Sequence, residues 1–189
     1  MDEIRIDTVA EGRPAEPREE REDAVYDLLD GLGIPYLRAD HPAAFTMEQC
    51  AAVERALGAP VAKNLFLCDR QKTRFFLLLM PGGKPFKTKY LAGQFEGPRL
   101  SFADEAALGE LLRLTPGSVC PFGLLFDPDK RVKLLVDRGL LDAEYVCFHP
   151  CRNTSTLRLR TEDFRARLLP ALGHEPAWVT LPDQLPEQA

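Results

Sequence analysis

Lys63-Asn64-Leu65-Phe66-Leu67-Cys68-Asp69-Arg70-Gln71-Lys72-Thr73-Arg74-Phe75-Phe76-Leu77-Leu78-Leu79-Met80 holds two apolar runs, Asn64–Cys68 and Phe75–Met80, around a polar segment. Runs this short, unbroken and apolar read as a hairpin of strands buried on both faces. The Pro81-Gly82-Gly83-Lys84-Pro85 cluster breaks the pattern just beyond. Upstream, Val25, Leu28, Leu29 and Leu32 recur at helical spacing until Gly31, Gly33 and Pro35 stop them, and a strand is expected at Ile34–Leu37. Thr46 with Gln49 forms a capping box for a helix carrying Val53, Ala56 and Leu57 and ending at Gly58.

Downstream, Ser101 with Asp104 is expected to cap a third helix carrying Ala107, Leu108, Leu111 and Leu112. Leu124–Phe126 and Val132–Asp137 flank an Asp-Pro-Asp-Lys turn and read as a second hairpin. Strands follow at Tyr145–Phe148 and Thr156–Leu159, then a helix opened by Thr161 and closed by Gly173. Strands and helices mix without strict alternation, so the expected class is α+β: a single mixed-sheet domain flanked by helices.

The chain has 189 residues with 45% hydrophobic and 28% charged, which excludes disorder, collagen and coiled coil for most of its length. The expected organisation is a flexible acidic extension over residues 1–22, one domain over 23–182 and a tail over 183–189. No apolar run reaches the roughly 18 residues of a membrane span, and the acidic start is unlike a secretory leader, so neither a membrane nor an export route is expected. Five scattered cysteines without a C-x-x-C pair argue against a disulfide scaffold and for a reducing, cytoplasmic setting. Net charge is −5, but residues 63–99 carry eight bases against two acids, so +6 sits in the middle and −11 elsewhere. Such a stretch either grips phosphates or is an ordinary solvated hairpin.

G-x-G-x-x-G, G-x-x-x-x-G-K-[ST], H-E-x-x-H and G-x-S-x-G are all missing, which removes dinucleotide, P-loop, zincin and α/β-hydrolase chemistry. Three clusters remain. Lys63-Asn64, at the lip of a buried strand, suits a phosphate or ester contact, or equally a snorkelling lysine beside a turn asparagine. Thr115 to Gly123, with two prolines and two glycines, can converge backbone N–H groups on an oxyanion or be a plain loop. Cys147, His149 and Cys151 alternate onto one face of an extended chain, conceivable as a metal set, though Pro150 weakens it. His149 is otherwise a proton-handling or structural group. His41 reads as a pocket edge or helix entry, His174 as surface, and Cys120 lacks a neighbouring base to make it a nucleophile.

Taken in order, His41-Pro42-x-x-Phe45-Thr46, Lys63-Asn64-Leu65-Phe66-Leu67, Leu100-Ser101-Phe102-Ala103, Pro116-Gly117-Ser118-Val119-x-Pro121-Phe122-Gly123 and Phe148-His149-Pro150-x-x-Asn153-x-x-Thr156 resemble a known family. It is that of stand-alone aminoacyl-tRNA editing proteins related to the editing domain of bacterial prolyl-tRNA synthetase, and the branch most resembled is the alanyl-tRNA(Pro) deacylases. The resemblance implies an editing-domain-like fold and hydrolysis of the ester on a mischarged tRNA(Pro), with no metal and no organic cofactor. It implies that Lys63 anchors the terminal nucleotide's phosphate with Asn64 beside it, that Gly117 and Ser118 shape the oxyanion and amino-acid pocket, and that His149 bounds that pocket. His41, Phe45, Thr46, Pro121 and Asn153 would line the substrate pocket, and Lys63, Lys72, Arg74, Lys87 and Lys89 would contact tRNA. Water, assisted by the substrate's own 2′-hydroxyl, would attack, and pocket volume would admit alanine and refuse proline. Prolyl-tRNA synthetase or an elongation factor would be transient partners, and DNA would not be one. Cys120, the basic Phe86–Leu91 segment and the acidic extension depart from the pattern. Alternatives are a cysteinyl-tRNA(Pro) or other small-amino-acid deacylase, or a non-catalytic tRNA- or metabolite-binding module on the same fold.

Overall fold

The computed structural model describes residues 4–184 except Phe45 and the side chains of Met47 and Glu48. Its strands form two sheets. One is antiparallel in the order β1 (Thr8–Glu11), β2 (Tyr36–Asp40), β8 (Ser155–Arg160), β7 (Tyr145–Phe148). The other runs β5 (Leu100–Phe102), β3 (Ala62–Asp69), β4 (Phe75–Pro81), β6 (Val132–Asp137), β9 (Pro176–Val179), antiparallel at β5–β3–β4 and parallel at β4–β6–β9. The sheets meet where the Cys147 amide donates to Pro60 O and Val61 bridges Cys147.

The hairpin expected from the opening stretch is β3–β4, with Cys68 facing Phe75 and Lys63 facing Met80. β4 reads as an unbroken apolar run because both its faces are covered. Leu77 and Leu79 enter the main core with Phe66, Leu134 and Val136, whereas Phe76, Leu78 and Met80 enter a second cluster with Leu67, Leu135 and Val179.

Helix α1 (Glu20–Gly31) buries Val25, Tyr26 and Leu29. The boundary expected at residue 22 therefore falls inside a helix. The acidic segment before it is not a free tail from end to end: β1 pairs with β2, and Arg18 reaches Asp40 at 3.1 Å. The tail expected over 183–189 lies outside the described residues from 185 on. Helix α2 (Met47–Leu57) has the expected capping box, with the Gln49 amide donating to Thr46 Oγ1 at 3.3 Å, and the expected left-handed Gly58 at its end.

Several expectations need correction. The strand expected at Ile34–Leu37 is β2 and lies a little further on, at Tyr36–Asp40, and β1 precedes it unforeseen. Ser101 belongs to β5, and Asp104 alone caps α3 (Glu105–Leu112), accepting from the Ala107 amide at 2.9 Å. The second hairpin does not exist. Leu124–Phe126 ends a 3-10 turn (Pro121–Phe126), and β6 joins β4 in parallel. The reason is Asp127: its carboxylate accepts from the amides of Arg131 and Val132 at 3.0 and 2.8 Å and turns the chain directly into β6. The final helical stretch combines α4 (Thr161–Asp163), a π-turn (Phe164–Leu168) and α5 (Leu169–Leu172). Pro170, lacking an N–H, fits this widening. Strand β9 is not foreseen from the sequence, since Pro176 at its start reads as a strand breaker; it is the sheet's edge, where a proline is tolerated. Among the described residues, no helix is long and apolar enough to cross a membrane.

Candidate functional site

At the end of the second sheet where β3 begins, four distant segments close on a cleft of about 260 Å³. The start of β3 contributes Lys63 and Asn64, the 115–119 loop contributes Gly117 and Val119, the corner after β7 contributes His149, and the α2 entry contributes Ala44 and Thr46. Thr46 thus has two duties, as helix cap and as cleft wall.

The loop is a tight turn. The Ser118 amide donates to Thr115 O at 3.0 Å, Pro116 stands at the second position and Gly117 at the third with φ +84°, the arrangement a type II turn requires. The Ser118 hydroxyl is committed to the turn, donating to Thr115 O at 2.8 Å and accepting from the Thr115 amide at 3.1 Å. Ser118 is accordingly buried and does not line the cleft. The amides of Gly117 and Val119 have no acceptor among the described residues. Asn64 Nδ2 donates to Val119 O at 3.0 Å and ties the loop to β3, which leaves Asn64 Oδ1 a buried acceptor without a partner among the described residues.

Lys63 donates from Nζ to Lys84 O at 2.7 Å, and burial lowers its pKa. Lys84 is fixed in turn, its ammonium 3.1 Å from the wholly buried Asp137 carboxylate and 2.9 Å from Leu181 O. A single carbonyl satisfies one of the three donors on Lys63, so its charge remains available at the mouth of the cleft.

His149 is nearly buried, and burial pushes its pKa down to about 4. The imidazole is therefore neutral near pH 7. Its Nδ1 donates to Ser155 O at 2.9 Å and lies 3.2 Å from Thr156 Oγ1. Thr156 Oγ1 lies 2.9 Å from His41 Nε2, and His41 Nδ1 lies 2.9 Å from Pro42 O. Because Pro42 O and Ser155 O only accept, the hydrogens are assigned by elimination. His41 carries its proton on Nδ1, Thr156 donates to His41 Nε2, and His149 carries its proton on Nδ1. His149 Nε2 is left as a lone-pair acceptor with no partner among the described residues, on a ring that lines the cleft.

Of the residues expected at the site, Lys63, Asn64, Gly117, His149 and Thr46 converge. His41 stands behind the wall and holds His149 through Thr156. Asn153 also stands behind it, its amide 3.4 Å from Ala44 O while its own carbonyl accepts from the Ala44 amide. Pro121 is buried at the start of the 3-10 turn. Phe45 lies outside the described residues.

The cations expected to meet tRNA separate. Lys72 and Arg74 sit at the tip of the β3–β4 hairpin, about 20 Å along the strands from Lys63, with Lys72 paired to Asp104 at 2.8 Å and Arg74 over Phe76. Lys89 lies over its neighbour Tyr90, and Lys87 is exposed. Cys147 and Cys151 diverge, the first donating to Ala59 O and the second meeting Cys120 at 3.8 Å in the core. No set of three potential metal ligands gathers among the described residues. His174, expected at the surface, is buried against Asp127 at 3.2 Å. Thr156 and the Lys84 carbonyl escape a reading of the sequence as site groups because their partners lie on strands or loops far away in the chain.

The model of the aminoacyl-tRNA editing domain matches residues 41–166, a span that includes every wall of this cleft. The chain belongs to the aminoacyl-tRNA editing domain family. Editing domains of this family remove an amino acid from tRNA, so the chain is an aminoacyl-tRNA deacylase. It is 33% identical over 140 residues to the prolyl-tRNA editing protein ProX of Acetoanaerobium sticklandii, covering 74% of this chain and 85% of that one. It is 34% identical over 157 residues to prolyl-tRNA synthetase associated domain-containing protein 1 of Bos taurus, covering 81% and 91%. A crystal structure described as a candidate trans-editing enzyme for prolyl-tRNA synthetase superposes with a TM-score of 0.64 at 19% identity over 88% of this editing domain chain and 100% of its own, a likeness of fold.

Proposed function

We propose that this editing domain acts in trans on mischarged tRNA(Pro) and that alanyl-tRNA(Pro) is its preferred substrate. The observation that carries the proposal is the meeting of Lys63, Asn64, the Gly117–Val119 amides and the His149 Nε2 lone pair in one cleft. Lys63 takes the phosphate of the terminal adenosine. The free amides receive the carbonyl oxygen as it becomes an oxyanion, held in place by the Asn64 bond to Val119 O. His149 Nε2 accepts from the α-ammonium group, for which a neutral imidazole is suited and an imidazolium is not.

Water attacks the ester carbonyl carbon, the bond to the ribose oxygen breaks, and the proton released by water reaches that oxygen through the adjacent 2′-hydroxyl. Alanine and tRNA with a free 3′ end result. An aminoacyl ester is reactive enough that positioning and oxyanion stabilisation suffice. Ala44, Val61 and Val119 give a methyl side chain apolar walls. Proline, with a larger ring and one fewer N–H donor, is disfavoured on both counts.

The test is deacylation of alanyl-, cysteinyl- and prolyl-tRNA(Pro) in parallel, with Lys63→Ala beside the wild type. Rapid loss of alanine alone, reduced about a hundredfold or more in the variant, supports the reading. Preference for the cysteinyl ester overturns the substrate, and tRNA binding without any turnover overturns the hydrolase.

A further inference from the structure

A second cleft, about 660 Å³, is lined by none of the residues that line the ester site. It lies along β9 at the outer edge of the second sheet, and three cations line it from three elements. Lys130 precedes β6, Arg138 follows it, and Arg165 comes from the π-turn. None has an ion-pair partner among the described residues, and Glu175 is the one carboxylate on the lining. Arg138 lies over the Trp178 ring at 5.7 Å, which gives the cleft a flat cationic platform.

Its position relative to the ester site follows from sheet register. Asn64 faces Leu79, Leu79 faces Val136, and Val136 faces Trp178, one row across four strands. Three strand spacings put Trp178 about 14 Å from Asn64. Arg138 emerges at the same end of the sheet as Lys63. A Cβ on the next residue, Gly139, would stand 2.7 Å from Lys84 Nζ and 3.3 Å from Pro81, so the Arg138 turn packs against the loop whose carbonyl holds Lys63. From there the cations extend over the length of β6, about 20 Å, to Lys130. A mononucleotide does not span that distance, whereas successive phosphates of one strand do.

Resting on the deacylase reading, we infer that this cleft is a second RNA-binding site, which holds the backbone of the strand leading into the 3′ end and stacks a base on the Arg138–Trp178 platform. It is an electrostatic groove with one aromatic shelf, the combination that suits single-stranded RNA. The basic hairpin tip at Lys72 and Arg74 is not needed for that grip.

Both arginines are exposed, so the Arg138→Ala/Arg165→Ala double variant should fold, with the thermal midpoint as control. Deacylation is measured on alanyl-tRNA(Pro) and on alanyl-adenosine, and tRNA binding is measured against salt. Expected are a KM raised roughly tenfold on the tRNA with kcat and alanyl-adenosine hydrolysis unchanged, and a salt slope shallower by about 0.7 for each phosphate that an arginine neutralises in the wild type. An unchanged KM and slope overturn the site, as does an equal loss on alanyl-adenosine, which would mark a structural effect. Wild-type protein that hydrolyses neither ester, yet binds tRNA with a slope that depends on the arginines, would sink the deacylase reading and support the site.

Discussion

His149 and His174 are both nearly buried and both stand beside a cleft, but their surroundings differ in one respect that separates a functional corner from a structural one. Around His174 both ring nitrogens meet protein oxygens, Leu172 O at 2.8 Å and Asp127 Oδ2 at 3.2 Å, and Asp127 also caps the two amides that begin β6. Around His149 only Nδ1 is engaged, and the orphan groups accumulate: Nε2, the Gly117 and Val119 amides and Asn64 Oδ1. Of these, Asn64 Oδ1 is buried, while exposed Gly117, half-buried Val119 and the His149 ring line the open cleft, so that donors and acceptors from distant segments face one small volume that a ligand can complete. Burial alone teaches nothing about role; the unfilled valences do.

Breaking the structural corner gives the largest effect. Asp127→Ala strips the buried Val132 amide, the part-buried Arg131 amide and one imidazole of their acceptor at once, and about 3 kcal/mol of stability should be lost in denaturant titration, with deacylation by the remaining folded protein near wild type. A loss of turnover without loss of stability would reverse the assignment of the two corners.

The functional corner is sensitive to acid. His149 has a pKa of about 4 when folded against about 6.5 when unfolded, and burial also lowers that of His41. The unfolded chain therefore binds the extra proton first. Stability contributed by the neutral His149 is complete above about pH 6.5 and is lost as pH falls towards 4, roughly 3 kcal/mol in all, with no further loss below. Thermal midpoints across this window should fall accordingly, while kcat shows no inflection near 6.5; an inflection there would mean that His149 titrates normally.

Smaller again is the effect of the link between the histidines. Thr156→Val removes the donor to His41 and frees the His149 ring to turn, so kcat should drop about tenfold with KM little changed, and Thr156→Ser should restore it. Equal kcat in all three forms would reduce the link to packing. Smallest is Lys72→Ala, which deletes an exposed ion pair at the hairpin tip and should leave the denaturation midpoint and tRNA affinity nearly unchanged.

Much of this molecule is legible in the sequence where local rules operate alone. The β3–β4 hairpin announces itself because strands covered on both faces need continuous apolar runs, and α2 because its cap and stop are short-range contacts. The 124–137 segment misleads for the same reason in reverse. An Asp-Pro-Asp-Lys turn between apolar runs has the composition of a hairpin, and only the carboxylate of Asp127 reaching the amides of Arg131 and Val132 shows that it launches a parallel strand instead. Ser118 is expected to face substrate, yet a hydroxyl two residues after a turn proline closes onto its own turn and leaves Gly117 exposed to the cleft.

Spacing and the chemistry of short motifs are enough to read the mixed-sheet class, the main hairpin and the capped helix, and the family resemblance singles out Lys63, Asn64, Gly117 and His149 as candidates. Which valences stay open is settled by packing. That Lys63 leans on Lys84, that His149 is a neutral acceptor behind Thr156 and His41, and that unpaired cations gather along β9 depend on contacts between residues far apart in the chain. Burial and hydrogen-bond closure are properties of the packed assembly, and no local pattern encodes them.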